Sequence, residues 1–501
     1  MVSNLVNVKS NVRRLNQITR ILTKYGLAQY IGESTPGFVR RRFVSDEGAD
    51  LWELPFDVRL RLALTELGTT FIKMGQMISQ RPDMVGPDLA AELASLQADT
   101  PADPPEVVRE TVETELGIPV ETVFPWFSFE ALASASVGQV HLATLQDGAD
   151  VVVKVQHAGI EEKVRDDLTL LMTLAKMGEQ NSKEVAMYKP TATVAEFRHS
   201  LLRELDFTTE LNNLLQFTQN FRDDPEVHFP IAYPEESARR VLTMERLDGY
   251  SIADTGRMIA NKVDQPAFAE RFVRVMLEMI FRDGFYHADP HPGNVFVVTG
   301  ERVGMLDCVK VGRVDEQTQE YFINIVTAFL TGDAEMLTDE LIDMCEAPPD
   351  LNRNAYQADV AEFIAEFGSS PTGIDIGSAF ESMFAIIRKH HLLVPARVNM
   401  LLLVIVQTEG TARLLDPEFN LAEALRGYGT DIARRRFSPK RIQRDLLRTY
   451  RDWDRLLKMV PRETAALLER AQRGELQIHV QQHGTERPLN RLNIGIMASA
   501  L

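Results

Sequence analysis

Apolar residues recur at spacings of three and four from Val58 to Ile78 and from Leu89 to Leu96, so the chain reads as amphipathic helices up to about Leu96. Asp99 to Pro105 (DTPADPP) breaks the pattern, because each proline fixes its own φ and restricts the residue before it, and a linker or rigid loop is expected there. Helical spacing resumes from Pro105 to Leu116 and stops at Gly117. From Phe124 the texture changes: Val137–Leu145 and Val151–Gln156 are β-prone runs joined across Asp147-Gly148, a dipeptide suited to a tight hairpin. Helical patterns follow at Glu161–Met177 and Thr193–Phe221, then a strand-like run at Arg240–Met244. Beyond Asp248 the chain is mainly helical, interrupted by the turn-rich stretch Gly284–Gly312. The predicted order is helices, a small sheet, then helices. The longest apolar run, Met400–Val406, reads as buried helix, and no window offers the roughly 18 unbroken apolar residues of a membrane-spanning helix.

Composition narrows the class. With 45% apolar and 25% charged residues in a chain of 501, disordered, collagen-like and disulfide-scaffold proteins are excluded. The 72 acidic against 54 basic residues leave a net charge of −18, which argues against a nucleic-acid partner, since that needs a basic face to displace counterions. Two cysteines, Cys308 and Cys345, are too few for a disulfide framework or a cysteine zinc site and suit a reducing compartment. The N-terminus carries polar and basic residues every few positions, unlike the unbroken apolar core of an export signal. Charge is unevenly distributed, however. Ala433–Lys458 (ARRRFSPKRIQRDLLRTYRDWDRLLK) is strongly basic and reads either as a solvated helix face or as a docking surface for anionic lipid headgroups.

Candidate chemistry concentrates in His287–Asn294 (HADPHPGN). Asp289 and Asn294 stand five apart, a short β-run follows, and Asp307 lies thirteen beyond Asn294, the spacing of a kinase catalytic loop and its metal-binding aspartate. Phosphoryl transfer is mostly positioning and charge neutralisation, so it needs carboxylate and amide oxygens to hold Mg²⁺ on phosphates and one carboxylate near the nucleophile. It also needs a strand lysine paired with a helix acid. Lys154, in VVVKVQ after the Asp147-Gly148 turn, fits; Glu204, Asp206 and Glu210 compete for the acid.

With these residues in place the chain resembles the UbiB family of atypical protein-kinase-like proteins. Phe71–Arg81 (FIKMGQMISQR) resembles the KxGQ motif, with Lys73, Gly75 and Gln76 present. Ala133–His141 (ASASVGQVH) resembles the alanine-rich loop that replaces a glycine-rich one, and ELDF at Glu204–Phe207, with Glu210 and Asn213 after it, fits as well. The resemblance implies an α+β, two-lobed protein-kinase-like fold. Its expected parts are a helical N-terminal extension (1–125), a small lobe (126–248), a helical large lobe (249–430) and a basic helical tail (431–501). It further implies that the KxGQ helices cover the site where a protein substrate would lie, disfavouring protein kinase activity. Slow Mg²⁺-dependent ATP hydrolysis in support of ubiquinone or other isoprenoid-lipid metabolism is the activity implied.

Carried over by position, the cofactors would be ATP or ADP and Mg²⁺. Lys154 would hold phosphates and Glu210, or else Glu204, would orient it; Asn294 and Asp307 would ligate the metal; Asp289 would be the catalytic carboxylate; Lys73 and Gln76 would reach into the site. Ala133, Ser134, Ala135, Ser136 and Gly138 would cover the nucleotide, with Met244 and Glu245 beside it. The alanines should stiffen that cover and leave only Gly138 conformationally permissive. Implied partners are a nucleotide, an isoprenoid or quinone-type lipid, an anionic membrane surface and lipid-biosynthetic enzymes. The implied location is the inner face of the membrane, reached from the cytoplasm, with Ile494–Leu501 as the stub of an apolar anchor.

Where the family has Asp-Phe-Gly this chain reads Asp307-Cys308-Val309, then Lys310. A β-branched Val309 accepts positive φ poorly, so the expectation is nucleotide binding with low turnover, and Cys308 reads as a packed residue rather than a nucleophile. A non-catalytic scaffold is the alternative that this departure favours. A metallohydrolase using the imidazoles and carboxylate of the HADPH segment is a second alternative.

Overall fold

The computed structural model describes residues 14–27, 54–79, 85–96, 100–181, 189–345, 347–368 and 376–425. The basic stretch Ala433–Lys458, the apolar Ile494–Leu501, Gln80–Arg81 and Asp99 lie outside them.

Where one helical run spans Val58–Ile78 in the sequence pattern, the chain forms two helices, α1 (Phe56–Leu67) and α2 (Thr69–Ser79). Gly68 divides them at φ 93°, a backbone region that costs glycine nothing, and its N–H caps the Leu64 and Thr65 carbonyls. With residues 14–24 and α3 (Pro87–Ala94) they bury Ile18, Leu64, Phe71, Ile72 and Leu93 in one cluster, which Leu170 joins from the small lobe. Gly75 is the crossing point: a Cβ there would lie 2.3 Å from Leu96 and 2.9 Å from Leu64 side-chain carbons. The glycine of KxGQ is therefore a packing requirement. Helix α4 (Pro105–Leu116) ends at Gly117 in the left-handed region, as the spacing predicts.

The small sheet has five strands. It contains β1 (Trp126–Phe127), β2 (Ala133–Ser134), β3 (Gly138–Thr144) and β4 (Asp150–Gln156). After α5 (Ile160–Asn181), α6 (Pro190–Glu204), α7 (Phe207–Asn220) and the outlying β5 (Val227–His228) comes its last member, β6 (Val241–Glu245). The order is β1-β3-β4-β6 with β2 against β3, every described pairing antiparallel. Alternation along β4 buries Val151, Val153 and Val155 with Val108 and Val112 of α4, which turns Lys154 to the opposite face. The pattern Thr193–Phe221 resolves into α6 and α7 because Asp206 caps the second helix, its carboxylate accepting from the Thr208 N–H at 3.1 Å and hydroxyl at 2.6 Å.

The large lobe departs most from the hydrophobic pattern. Besides β7 (Gly249–Ser251) and α8 (Gln265–Glu278), the turn-rich stretch contains β8 (Phe285–His287), β9 (Val295–Val298), β10 (Arg302–Met305) and β11 (Val311–Arg313). They build a mixed sheet, β5-β10-β9-β7, and a β8–β11 pair. Strands this short show no period of their own. Helices α9 (Glu316–Thr331), α10 (Ala334–Met344), α11 (Arg353–Phe367), α12 (Ile376–Lys389) and α13 (Ala396–Leu415) complete the α+β architecture. Within α13, Leu401, Leu402, Val404 and Ile405 are buried, as expected of the longest apolar run. Arg397–Leu415 is long and apolar enough to cross a membrane, but 56% of its window is buried inside the protein, as in a core helix.

Candidate functional site

Two lysine–carboxylate pairs face one another across the extension and the small lobe. Lys154 Nζ on β4 donates to Glu210 Oε2 on α7 at 2.7 Å and stands 5.1 Å from the Phe207 ring centroid. Lys73 of α2 pairs with Glu204 at the end of α6. The three competing acids thus separate by role: Glu210 orients Lys154, Glu204 meets the KxGQ lysine, and Asp206 caps a helix. Burial penalises the Lys154 ammonium, but Glu210, Asp307 and Glu204 outweigh it and hold its pKa above the usual lysine value.

Asp307 is solvent-accessible and lies among these charges. Surrounding protein disfavours its carboxylate, yet Lys154, Lys73, His287 and Lys310 hold its pKa below the ordinary value. Its φ is +55°, so the left-handed position falls on the aspartate itself. The strain expected at Val309 is moved two residues upstream, onto a residue type that adopts that region more readily. Cys308 is fully buried and burial raises its thiol pKa well above normal, which makes it a packed residue. Its carbonyl and that of Val309 receive Asn213 Nδ2 at 2.8 and 3.4 Å.

The catalytic-loop residues are organised by hydrogen bonds. Asn294 Nδ2 donates to the Asp289 carbonyl at 3.0 Å, and the Asp289 N–H donates to His287 Nδ1 at 3.2 Å. His287 Nε2 meets the Leu306 and Asp307 carbonyls at 3.0 and 3.1 Å, and His291 Nδ1 accepts the Gly293 N–H at 3.0 Å. Both histidines therefore order the loop. Among the described residues no group of three or more His, Cys, Asp or Glu side chains could hold a metal, so the zinc-type reading of HADPH finds no partner ligands. The Asp289 carboxylate meets Lys310 Nζ at 3.2 Å and Gln407 Nε2 of α13 at 3.4 Å.

The alanine-rich segment is a hairpin in which Ala133 and Ser134 pair with Val140 and Gln139. His157 pins it, with Nε2 3.0 Å from the Ala135 carbonyl and 3.4 Å from Ser134 Oγ, while the buried Ser136 offers its carbonyl to Thr69 Oγ1 at 3.3 Å. Gly138 does not have positive φ; it is glycine because a Cβ would approach the Val155 carbonyl oxygen to 2.6 Å. Three further predicted residues have protein partners of their own. Gln76 Nε2 donates to the Leu96 carbonyl at 2.8 Å. Glu245 bonds His228 at 2.9 Å and the Ile231 N–H at 3.1 Å, and Met244 is buried beside Val152.

Comparison with known proteins decides the family. Residues 95–341 match the ABC1 atypical kinase-like domain and residues 365–420 the UbiB helical domain. "Probable protein kinase UbiB" of Pseudomonas aeruginosa strain LESB58 is 34% identical over 450 residues, 87% of this chain and 84% of that protein. The chain belongs to the UbiB family. Its relative of the same name in Aeromonas salmonicida is 30% identical over 503 residues, 98% of this chain and 92% of that one. The solved complex of Rv3197 with erythromycin from Mycobacterium tuberculosis aligns with a TM-score of 0.49 at 20% identity, covering 69% of this chain and 87% of that chain.

A UbiB-type kinase-like site implies a nucleotide and Mg²⁺, and the donors fit. Asp307 is accessible, and among the described residues no side chain hydrogen-bonds its carboxylate, so hard oxygen ligands are available; Asn294 commits its Nδ2 to Asp289, which leaves its amide oxygen as the atom that could ligate. Two contributors escaped the sequence reading. Gln407, separated by 118 residues from Asp289, carries no local signal. His157 follows the Lys154 strand directly, but only the hairpin brings it under Ala135.

Proposed function

We propose that this UbiB-family protein binds ATP or ADP with Mg²⁺ and turns ATP over slowly, in support of ubiquinone or other isoprenoid-lipid metabolism rather than as a protein kinase. The observation that carries the reading is the Lys154–Glu210 pair set beside Asp307. Lys154 would neutralise the nucleotide phosphates, Asn294 and Asp307 would hold the metal, and Asp289 would sit at the nucleophile. Lys73 and Gln76 would act from the extension, and Ala133, Ser134, Ala135, Ser136 and Gly138 would form the cover. The relatives' printed name says protein kinase, but the Lys73–Glu204 pair supports an extension that closes the site to a protein substrate. Millimolar ATP with Mg²⁺ should raise the melting temperature. Absence of a shift would remove the proposal.

A scaffold without turnover is the second reading, favoured by the loss of Asp-Phe-Gly and by the ion-paired state of Asp289. Asp307→Asn separates the two. Unchanged nucleotide binding and unchanged cellular function would favour the scaffold; loss of Mg²⁺-dependent binding would favour catalysis.

A lipid partner is supported by a wholly apolar cavity of about 150 Å³ among the large-lobe helices, lined by Phe322, Phe329, Met344, Ala379, Phe384 and Leu402 among others. Such a space stays dry and suits a hydrocarbon chain. ATPase assays with isoprenoid-quinone precursors and with cardiolipin-containing liposomes test both this and membrane association.

A further inference from the structure

We propose that Lys310 is a built-in restraint on the catalytic carboxylate, a tethered cation that occupies Asp289 and keeps turnover low. The proposal rests on the nucleotide reading above and adds to it the cause of slow turnover in this chain.

Backbone pairing places the lysine. Val311 opposes His287 in the β8–β11 ladder, and one step earlier the Ala288 N–H donates to the Lys310 carbonyl at 3.0 Å. That register fixes Lys310 across from the residue before Asp289, where its ammonium reaches Oδ2 at 3.2 Å. The other carboxylate oxygen receives Gln407 Nε2 at 3.4 Å, and α13, which carries Gln407, is itself tied to the loop by Thr411 Oγ1 on the Pro290 carbonyl at 2.9 Å. Both oxygens of Asp289 are thus engaged before any nucleophile arrives. In hydrolysis the water oxygen bonds to the γ-phosphorus, the bond from that phosphorus to the bridging oxygen breaks with its electron pair leaving on ADP, and the water proton passes to Asp289. A water in line with the phosphate must share the carboxylate with Lys310 and Gln407, which each take one acceptor position and pull it toward their own side. Lys310 is 41% exposed, so it can be displaced, and the restraint is partial.

The sequence places the two features together: Lys310 follows Asp307-Cys308-Val309 directly, so the packed thiol and the cation facing Asp289 fall in one turn.

Full-length Lys310→Met, Lys310→Arg and the double variant Lys310→Met/Asp289→Asn test the idea. Steady-state ATP hydrolysis and the ATP dissociation constant by calorimetry should be measured side by side. Lys310→Met should raise kcat roughly tenfold, a modest share of what a positioned base contributes. Its ATP dissociation constant should stay within about threefold of the parent, since Lys310 hydrogen-bonds Asp289 and reaches the metal-holding Asp307 only through its charge. Lys310→Arg keeps the cation and should stay at the parent rate. The double variant should lose the gain. A Lys310→Met protein that binds ATP normally without a higher kcat overturns the restraint and leaves the nucleotide reading intact. An arginine variant as fast as the methionine one also overturns it, because a charge-independent packing effect would then explain the gain. Failure of the parent protein to bind ATP would overturn the nucleotide reading first, and this proposal with it.

Discussion

Lys154 and Glu210 carry the firmest residue-level consequences. Glu210 is 2% exposed and its partner 19%, so removing the lysine alone strands a buried carboxylate. Lys154→Met should cost about 3 kcal/mol in chemical denaturation, and the double change with Glu210→Leu should cost less, since breaking a buried pair is worse than replacing both partners. The methionine variant should also lose the ATP-dependent melting shift. A second consequence concerns histidine. Burial lowers the pKa of His287 and of His141 below 6.5, so the folded state refuses protons that the unfolded chain accepts. Their contribution is complete above pH 6.5 and is lost as pH falls below it. Melting temperature should therefore drop as pH falls below about 6.5, and His287→Gln should flatten part of that slope.

At the scale of elements, close approach replaces conformational freedom as the reason for glycine. Gly75 lets α2 cross α1 and α3, and Gly138 lets the alanine-rich hairpin meet β4. Gly75→Val and Gly138→Ala should each destabilise by about 1–3 kcal/mol through overpacking. The two effects separate in a binding assay. Valine at 75 should loosen the helix that carries Lys73, while alanine at 138 acts on the strand beside Lys154, so only the second should weaken ATP directly. How legible the elements were depends on length. Helix α4 and the β3–β4 hairpin matched their spacing nearly to the residue because a proline, a glycine and an Asp-Gly turn bound them. Strands β8 to β11 were read as turns, since three or four residues cannot display an alternation.

For the whole molecule, the extension, the small lobe and the large lobe meet at one group of charges. Lys73, Lys154 and Lys310 come from three separate parts of the chain to the same aspartate. The apolar cavity lies among α9, α10, α11, α12 and α13, the last of which also carries Gln407. Ala379→Leu should fill part of it and stabilise the free protein by about 0.5–2 kcal/mol. The same change should abolish any melting shift produced by an isoprenoid alcohol; an unchanged shift would place the lipid elsewhere. The sequence alone determined the family, the longer helices, the β3–β4 hairpin and the packed nature of Cys308, and it singled out Lys154, Asp289, Asn294 and Asp307 as candidates. Those follow from motif spacing, local periodicity and residue chemistry, which are properties of neighbours in the chain. Only the tertiary structure decided that Glu210 rather than Glu204 or Asp206 meets Lys154, that Lys73 takes Glu204, and that Lys310 and Gln407 engage Asp289. Those pairings depend on strand register and helix crossing, which bring together side chains 21 to 131 residues apart, and no local pattern encodes which of several equivalent acids ends up opposite a given lysine.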